Sequence, residues 1–207
     1  MNPEEKELIR RNYSFEIRAE QDENQGAVIT GRPIVYNSMT DLGDFFEVID
    51  GGALNRTDLS DVRFLVNHNT DMIPLARASR NNPDSTMQMN VDAYGMAIRV
   101  NLDIENNSEA KALYSAVQRG DITGMSFMFW ISDYEWKDLD TDKPTRHIRG
   151  IESVLEVSAV TFPAYEATEI HARDKKSLEK ARQGRPSAAL ELEKEKFKAL
   201  FGGVSHE

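Results

Sequence analysis

Between residues 12 and 171 the apolar side chains come in short runs bounded by Gly, Pro, Asn and Asp, and almost nowhere at helical spacing. A chain punctuated in this way folds as strands, because each run is long enough to cross a sheet and too short to build an amphipathic helix. The runs fall at residues 13–19, 26–37, 45–49, 63–67, 86–92, 95–101, 124–134, 147–151 and 154–162. That supply of strands suits a β-barrel or a sandwich. One segment breaks the pattern. Ala110, Leu113, Tyr114 and Val117 recur at i, i+3, i+4 and i+7, with Ser108 as the expected N-cap, Glu109 in the first turn, Arg119 near the end and Gly120 as terminator. A second, short helix is expected to start near Ala53. No repeat with a period of some 20–50 residues is visible, which removes solenoids and propellers.

Composition narrows the function classes. The chain has 207 residues, 40% of them apolar, enough for one core of ordinary size plus extensions. Its 25 Lys and Arg against 35 Asp and Glu give a net charge of −10, an unfavourable balance for a phosphate backbone, so nucleic acid is not an expected partner. Without cysteine there is no disulfide, thiol nucleophile or cysteine metal site, and any covalent nucleophile is an oxygen or an amine. The opening Met-Asn-Pro-Glu-Glu-Lys-Glu has no apolar signal segment, and no stretch approaches the roughly 18 apolar residues of a membrane span, so the expectation is a soluble, unexported chain with no membrane partner.

Three zones follow from this reading: a charged leader over residues 1–11, a body over 12–171, and a Lys/Glu/Ala-rich tail over 172–207. In the tail, Gly184-Arg185-Pro186 separates two polar stretches, and Ser187 caps an amphipathic helix carrying Leu190, Leu192, Phe197, Leu200 and Phe201 before Gly202-Gly203. A thin apolar stripe after a polar linker reads as a free or weakly docked appendage.

Within strands, the informative residues are polar ones where the alternation asks for apolar ones, since burying such a group unpaired costs about 1–3 kcal/mol. Three qualify. Ser126 is the one hydroxyl in Gly124-Met-Ser-Phe-Met-Phe-Trp-Ile131. His68 shares a face with Phe64 and Val66 just as its strand ends, and Glu156 shares one with Val154, Ser158, Val160 and Phe162. A hydroxyl, an imidazole and a carboxylate are the parts of a nucleophile, its general base and the group that orients the base. Each also has a plain structural role open to it: Ser126 as a small strand residue bonded to backbone, His68 as a hydrogen-bonded strand end, Glu156 as the ion-pair partner of Arg146 or Arg149. A zinc site is the weakest reading, because only Asp71 accompanies His68 and neither count nor spacing fits one; no metal or cofactor is expected.

Five segments taken in order give the chain a resemblance. They are Gly31-Arg-Pro-Ile-Val-Tyr-Asn37, Glu47-Val-Ile-Asp-Gly-Gly-Ala-Leu54, Val66-Asn-His-Asn69 with Pro74-Leu-Ala-Arg77, Arg119-Gly-Asp-Ile-Thr-Gly-Met-Ser-Phe-Met-Phe129, and Leu155-Glu-Val-Ser-Ala-Val-Thr-Phe-Pro-Ala164. With these the body resembles the prohead (procapsid maturation) proteases of tailed phages, the HK97 type, whose fold is similar to herpesvirus assemblin. The last two segments are the most specific. Ala76 stands where a glycine often precedes the arginine, and residues 137–143 form a longer loop than the pattern has.

The resemblance implies a β-rich α+β fold, an assemblin-like β-barrel with a few surrounding helices, plus the C-terminal linker and helix. It implies a serine endopeptidase with Ser126 as nucleophile, His68 as general base and Glu156 as third member; Glu152 lies on the same alternation, and only Glu156 matches the motif. By analogy with the assemblin group, Arg146 or Arg149 becomes a candidate for an arginine-held water in the oxyanion hole. The implied substrates are the major capsid protein, its scaffold segment or a scaffold protein, cut inside the procapsid in the host cytoplasm, with self-cleavage expected between residues 172 and 187 and self-association plausible. Two non-enzymatic readings remain beside it: a capsid assembly or scaffold protein of the same fold, and a β-barrel ligand-binding or capsid-decorating module whose three polar residues are structural.

Overall fold

A computed structural model describes residues 7–13, 17–23, 26–80, 82, 84–162 and 168–184. Eleven strands and two helices are found among them. A seven-stranded sheet contains β1 (Glu7–Tyr13), β4 (Met39–Asp41), β5 (Phe46–Ile49), β6 (Asp61–Val66), β7 (Ala76–Ser79), β10 (Gly124–Lys137) and β11 (Thr145–Val160). Its main path runs β1-β10-β11-β5-β4, and β6 pairs with both β11 and β7. A four-stranded antiparallel sheet has the order β2 (Ile17–Asp22), β3 (Gly26–Val35), β9 (Gly95–Leu102), β8 (Met87–Asp92). The β-rich expectation stands, but among the described residues the strands pair into two separate sheets and no closed barrel is found.

The core is made by alternation. Met125, Phe127 and Phe129 of β10 and Val157 and Ala159 of β11 turn one face inward, against Val62 and Phe64 of β6 and Ile29, Ile98 and Val100 of the smaller sheet. Phe127 and Phe129 stack with ring centroids 4.7 Å apart. Within the smaller sheet, the close approach of β9 to β3 depends on Gly95, whose φ is +132° and where a Cβ would lie 2.0 Å from the Ile34 carbonyl oxygen.

The two expected strands at 147–151 and 154–162 are one long strand, β11, bent against β10 by register shifts between Met128 and Tyr134. Such bulges hide a strand's continuity from a strict period-2 reading. Helix α1 (Ser108–Arg119) buries the four expected residues, but its N-cap is Asn107, whose Oδ1 accepts from the amides of Glu109 at 3.0 Å and Ala110 at 3.2 Å. Gly120 ends it at φ +79°. The turn after β5 contains successive turns rather than the short helix expected near Ala53.

Both ends of the body differ from expectation. Part of the charged leader is β1, paired antiparallel with β10 from Glu7 opposite Ile131 to Tyr13 opposite Met125. In place of a linker from residue 172, helix α2 (Thr168–Gln183) buries Asp174 and Leu178, and its Arg182 donates to the Thr141 carbonyl at 2.9 Å. Residues 172–183 of the stretch expected to be cut, 172 to 187, belong to this helix. The tail helix expected after Ser187 lies outside the described residues.

Candidate active site

His68 sits on the turn that leaves β6. Strand β6 runs parallel to β11, with Glu156 opposite Arg63 and Ala159 opposite Val66, and the Asn67 amide carries this ladder one step further by donating to the Ala159 carbonyl at 2.9 Å. Asn67 (φ 52°) and His68 (φ 57°) are both left-handed, a conformation that Asn and His enter more readily than most residues but that still costs about 1–3 kcal/mol each. The Asn67 side chain holds the turn: Nδ2 donates to Thr161 Oγ1 at 3.0 Å and Oδ1 accepts from the Thr161 amide at 2.9 Å. The His68 amide donates to Ser158 Oγ at 3.1 Å, which fixes where the ring begins.

Glu156 is buried and both its oxygens are engaged. Oε1 lies 2.5 Å from His68 Nδ1, and Oε2 accepts from the Ser158 hydroxyl at 2.5 Å. An ionised carboxylate only accepts, so this contact assigns the ring proton to Nδ1 and leaves the lone pair on Nε2. The imidazole keeps 10% of its surface open, enough to be reached and too little to be freely hydrated.

Ser126 reaches the same place through sheet register. It lies directly opposite Ser158 in the β10–β11 ladder, and Met128 lies opposite Glu156. Facing residues of an antiparallel pair share a side, with Cβ atoms about 4.5–5.5 Å apart. Ser126, Ser158 and Glu156 therefore occupy one face, away from the core residues Met125 and Phe127, and His68 joins that face through Ser158. Ser126 is fully buried, and its hydroxyl donates to the Arg11 main-chain carbonyl at 2.7 Å.

The sequence pointed to Ser126, His68 and Glu156; the fold puts His68 against Glu156 and Ser126 on the sheet face that carries Glu156. Sequence reasoning gave Ser158 no role, although Ser158 stands two residues from Glu156 on the alternation. Arg11 had no signal at all, because a charged residue in the slot after Ile9 reads as surface.

Arg11 is instead buried in a charged cluster. Its Nε bonds Glu47 Oε1, and its Nη2 reaches Glu47 Oε2 at 3.0 Å and Asp174 Oδ2 at 3.1 Å. Arg146 meets the same two acids, with Nε 2.9 Å from Glu47 Oε2 and Nη2 2.8 Å from Asp174 Oδ1, under the rings of Phe45, Tyr134 and Trp136. Burial alone would raise the Glu47 pKa, but the Arg11 and Arg146 charges and hydrogen bonds outweigh it and hold the carboxyl below its ordinary value.

Both oxyanion candidates are bonded to other acids. Arg146 is wholly buried opposite Trp136, ten residues along β10 from Ser126, and its guanidinium serves Glu47 and Asp174. Arg149 lies half-exposed on the surface, bonded to Asp133 and Glu135. Neither pairs with Glu156, whose partners are His68 and Ser158.

A groove of about 440 Å³ opens between the β6 turn and α1, lined by Val66, Asn67, Asn69, Met72, Leu113 and Ile122 among others, with His68 outside its lining. Its lining is largely apolar. No helix among the described residues is long and apolar enough to cross a membrane.

Comparison with known proteins gives one structural neighbour and one family. The structure of the bacteriophage T4 capsid assembly protease gp21 aligns with a TM-score of 0.45 at 12% identity, over 75% of this chain and 98% of that one. No curated protein sequence matches the chain. The family model described as caudovirus prohead serine protease matches residues 13–183, which takes in β10, β11 and the β6 turn, and the chain belongs to that family.

Proposed function

We propose that this protein is a serine endopeptidase that cuts scaffold protein, or the capsid protein's scaffold segment, inside the procapsid during head maturation, with Ser126, His68 and Glu156 as its catalytic residues. Family membership supports the serine protease class. The observation that carries the residue roles is the Glu156 contact to His68 Nδ1 on the sheet face that holds Ser126.

The chemistry follows from that contact. With Nδ1–H held by the carboxylate, Nε2 is the basic nitrogen and takes the Ser126 proton as Oγ attacks the scissile carbonyl carbon. The imidazolium that forms is stabilised by Glu156, which Ser158 keeps in place. His68 then gives the proton to the leaving amine, and water repeats the sequence on the acyl-enzyme to release the new carboxylate.

The test is to incubate the purified protein with the capsid and scaffold proteins of the same phage and follow their intact masses. Shortening by the wild type, reduced at least about 10³-fold in Ser126→Ala, is expected. Unchanged masses with folded wild type would favour an assembly protein of this fold over an enzyme.

A further inference from the structure

The first strand lies along β10 at the position of Ser126. β1 is the edge strand of its sheet, paired with β10 without a register break across the position of Ser126. Its residues 7–12 lie before the stretch that the family model matches, residues 13–183. Its Arg11 carbonyl receives the Ser126 hydroxyl at 2.7 Å. Its Arg11 guanidinium, 3% exposed, fills a buried acidic pocket formed by Glu47 and Asp174.

Resting on the serine protease reading above, we propose that the β10 edge covered by β1, with the Glu47 and Asp174 pocket, binds an extended peptide as an added strand with an arginine or lysine immediately before the bond to be cut, and that residues 7–13 fill this place as a built-in inhibitor.

Charge argues for the basic residue. The pocket holds two carboxylates, Glu47 and Asp174, against two guanidiniums, Arg11 and Arg146. Arg146 belongs to β11 and stays when β1 leaves, so the departing strand would strand an excess buried negative charge. A buried carboxylate without its partner is strongly unfavourable, and an incoming cationic side chain restores the balance. The pocket grips Arg11 on Glu47 through two nitrogens, a fork that favours arginine over lysine and rejects neutral or acidic side chains.

Geometry argues for inhibition. A serine hydroxyl has one proton, and here it goes to the Arg11 carbonyl oxygen. The nucleophile thus meets the strand's oxygen, not its carbonyl carbon. In a productive peptide the Ser126 Oγ–C bond forms, the proton passes to His68 Nε2, the C–N bond breaks with that proton leaving on the amine, and water frees the basic residue as a new carboxyl terminus.

The experiment uses full-length wild type, Arg11→Ala, Asp174→Asn and, as blank, Ser126→Ala, each given a proteome-derived mixture of long peptides, with new carboxyl termini identified by mass spectrometry. The expected result is that Ser126-dependent termini end in Arg or Lys at least tenfold above the blank, Arg before Lys. Arg11→Ala should cut several-fold faster at low peptide concentration with the same preference, and Asp174→Asn should relax the preference. The wild-type termini decide the point even if a variant fails to fold. Ser126-dependent termini with no basic bias would overturn the proposal and leave the serine protease standing. No Ser126-dependent terminus in any protein would overturn both.

Discussion

Glu156 Oε1 stands 2.5 Å from His68 Nδ1, and that contact sets which ring nitrogen can act as a base. The relationship depends on two strands arriving from distant parts of the chain, 88 residues apart in sequence, and on a left-handed turn that the Asn67 side chain and the His68 amide help to hold.

Replacing Glu156 by Gln keeps the size and offers the ring an amide oxygen, but removes the charge that stabilises the imidazolium. Turnover should fall by about 10²–10⁴-fold with KM little changed. Steady-state kinetics with circular dichroism as a fold control checks this, and a change in KM alone would assign Glu156 to binding.

Ser158→Ala deletes the hydroxyl that accepts from the His68 amide and donates to Glu156. The site is buried, so the loss should be about 1–3 kcal/mol in urea unfolding, with a smaller drop in turnover than Glu156→Gln. Equal loss of turnover in both would give Ser158 a part in the chemistry itself.

Glu47→Gln leaves two guanidiniums facing one carboxylate and should destabilise the protein by about 3–5 kcal/mol near neutral pH. Because folding lowers the Glu47 pKa, its ionised form contributes stability fully above the unfolded value of 4.5, and that contribution is lost as pH falls through the folded value. Unfolding free energy measured against pH should therefore decline less steeply on the acid side in Glu47→Gln than in wild type. Parallel curves would mean that Glu47 takes up its proton alike in both states.

Two glycines should respond differently to alanine. At Gly95 the new Cβ would meet the Ile34 carbonyl at 2.0 Å, a backbone atom that cannot step aside, and a loss of at least about 3 kcal/mol is expected. At Gly120 nothing lies within 4 Å, so only the left-handed φ is penalised, by about 1–2 kcal/mol. Thermal melts of the two variants separate these cases.

Alternation made much of this legible. Strands such as β6, β9 and β10, the buried face of α1, and the shared face of Glu156 and Ser158 followed from period and punctuation, whereas His68 lies past the end of β6 on a left-handed turn that alternation does not describe. The sheet pairing did not, because register between residues as distant as Ser126 and Ser158 leaves no local mark. The first strand was hidden for a different reason: Ile9 and Arg11 alternate inward, but the second is a cation whose acids, Glu47 and Asp174, come from a remote strand and from a helix. Arg146 and Arg149 look alike in sequence and differ entirely in the fold, one sealed under three rings and one at the surface.

The most direct measurement is active-site labelling with a fluorophosphonate, followed by peptide mass mapping, on wild type, His68→Ala and Glu156→Gln. The account predicts an adduct on Ser126 in wild type, formed at least about 10²-fold more slowly in both variants. An adduct on another serine, or equal labelling of Ser126 in all three proteins, would contradict it.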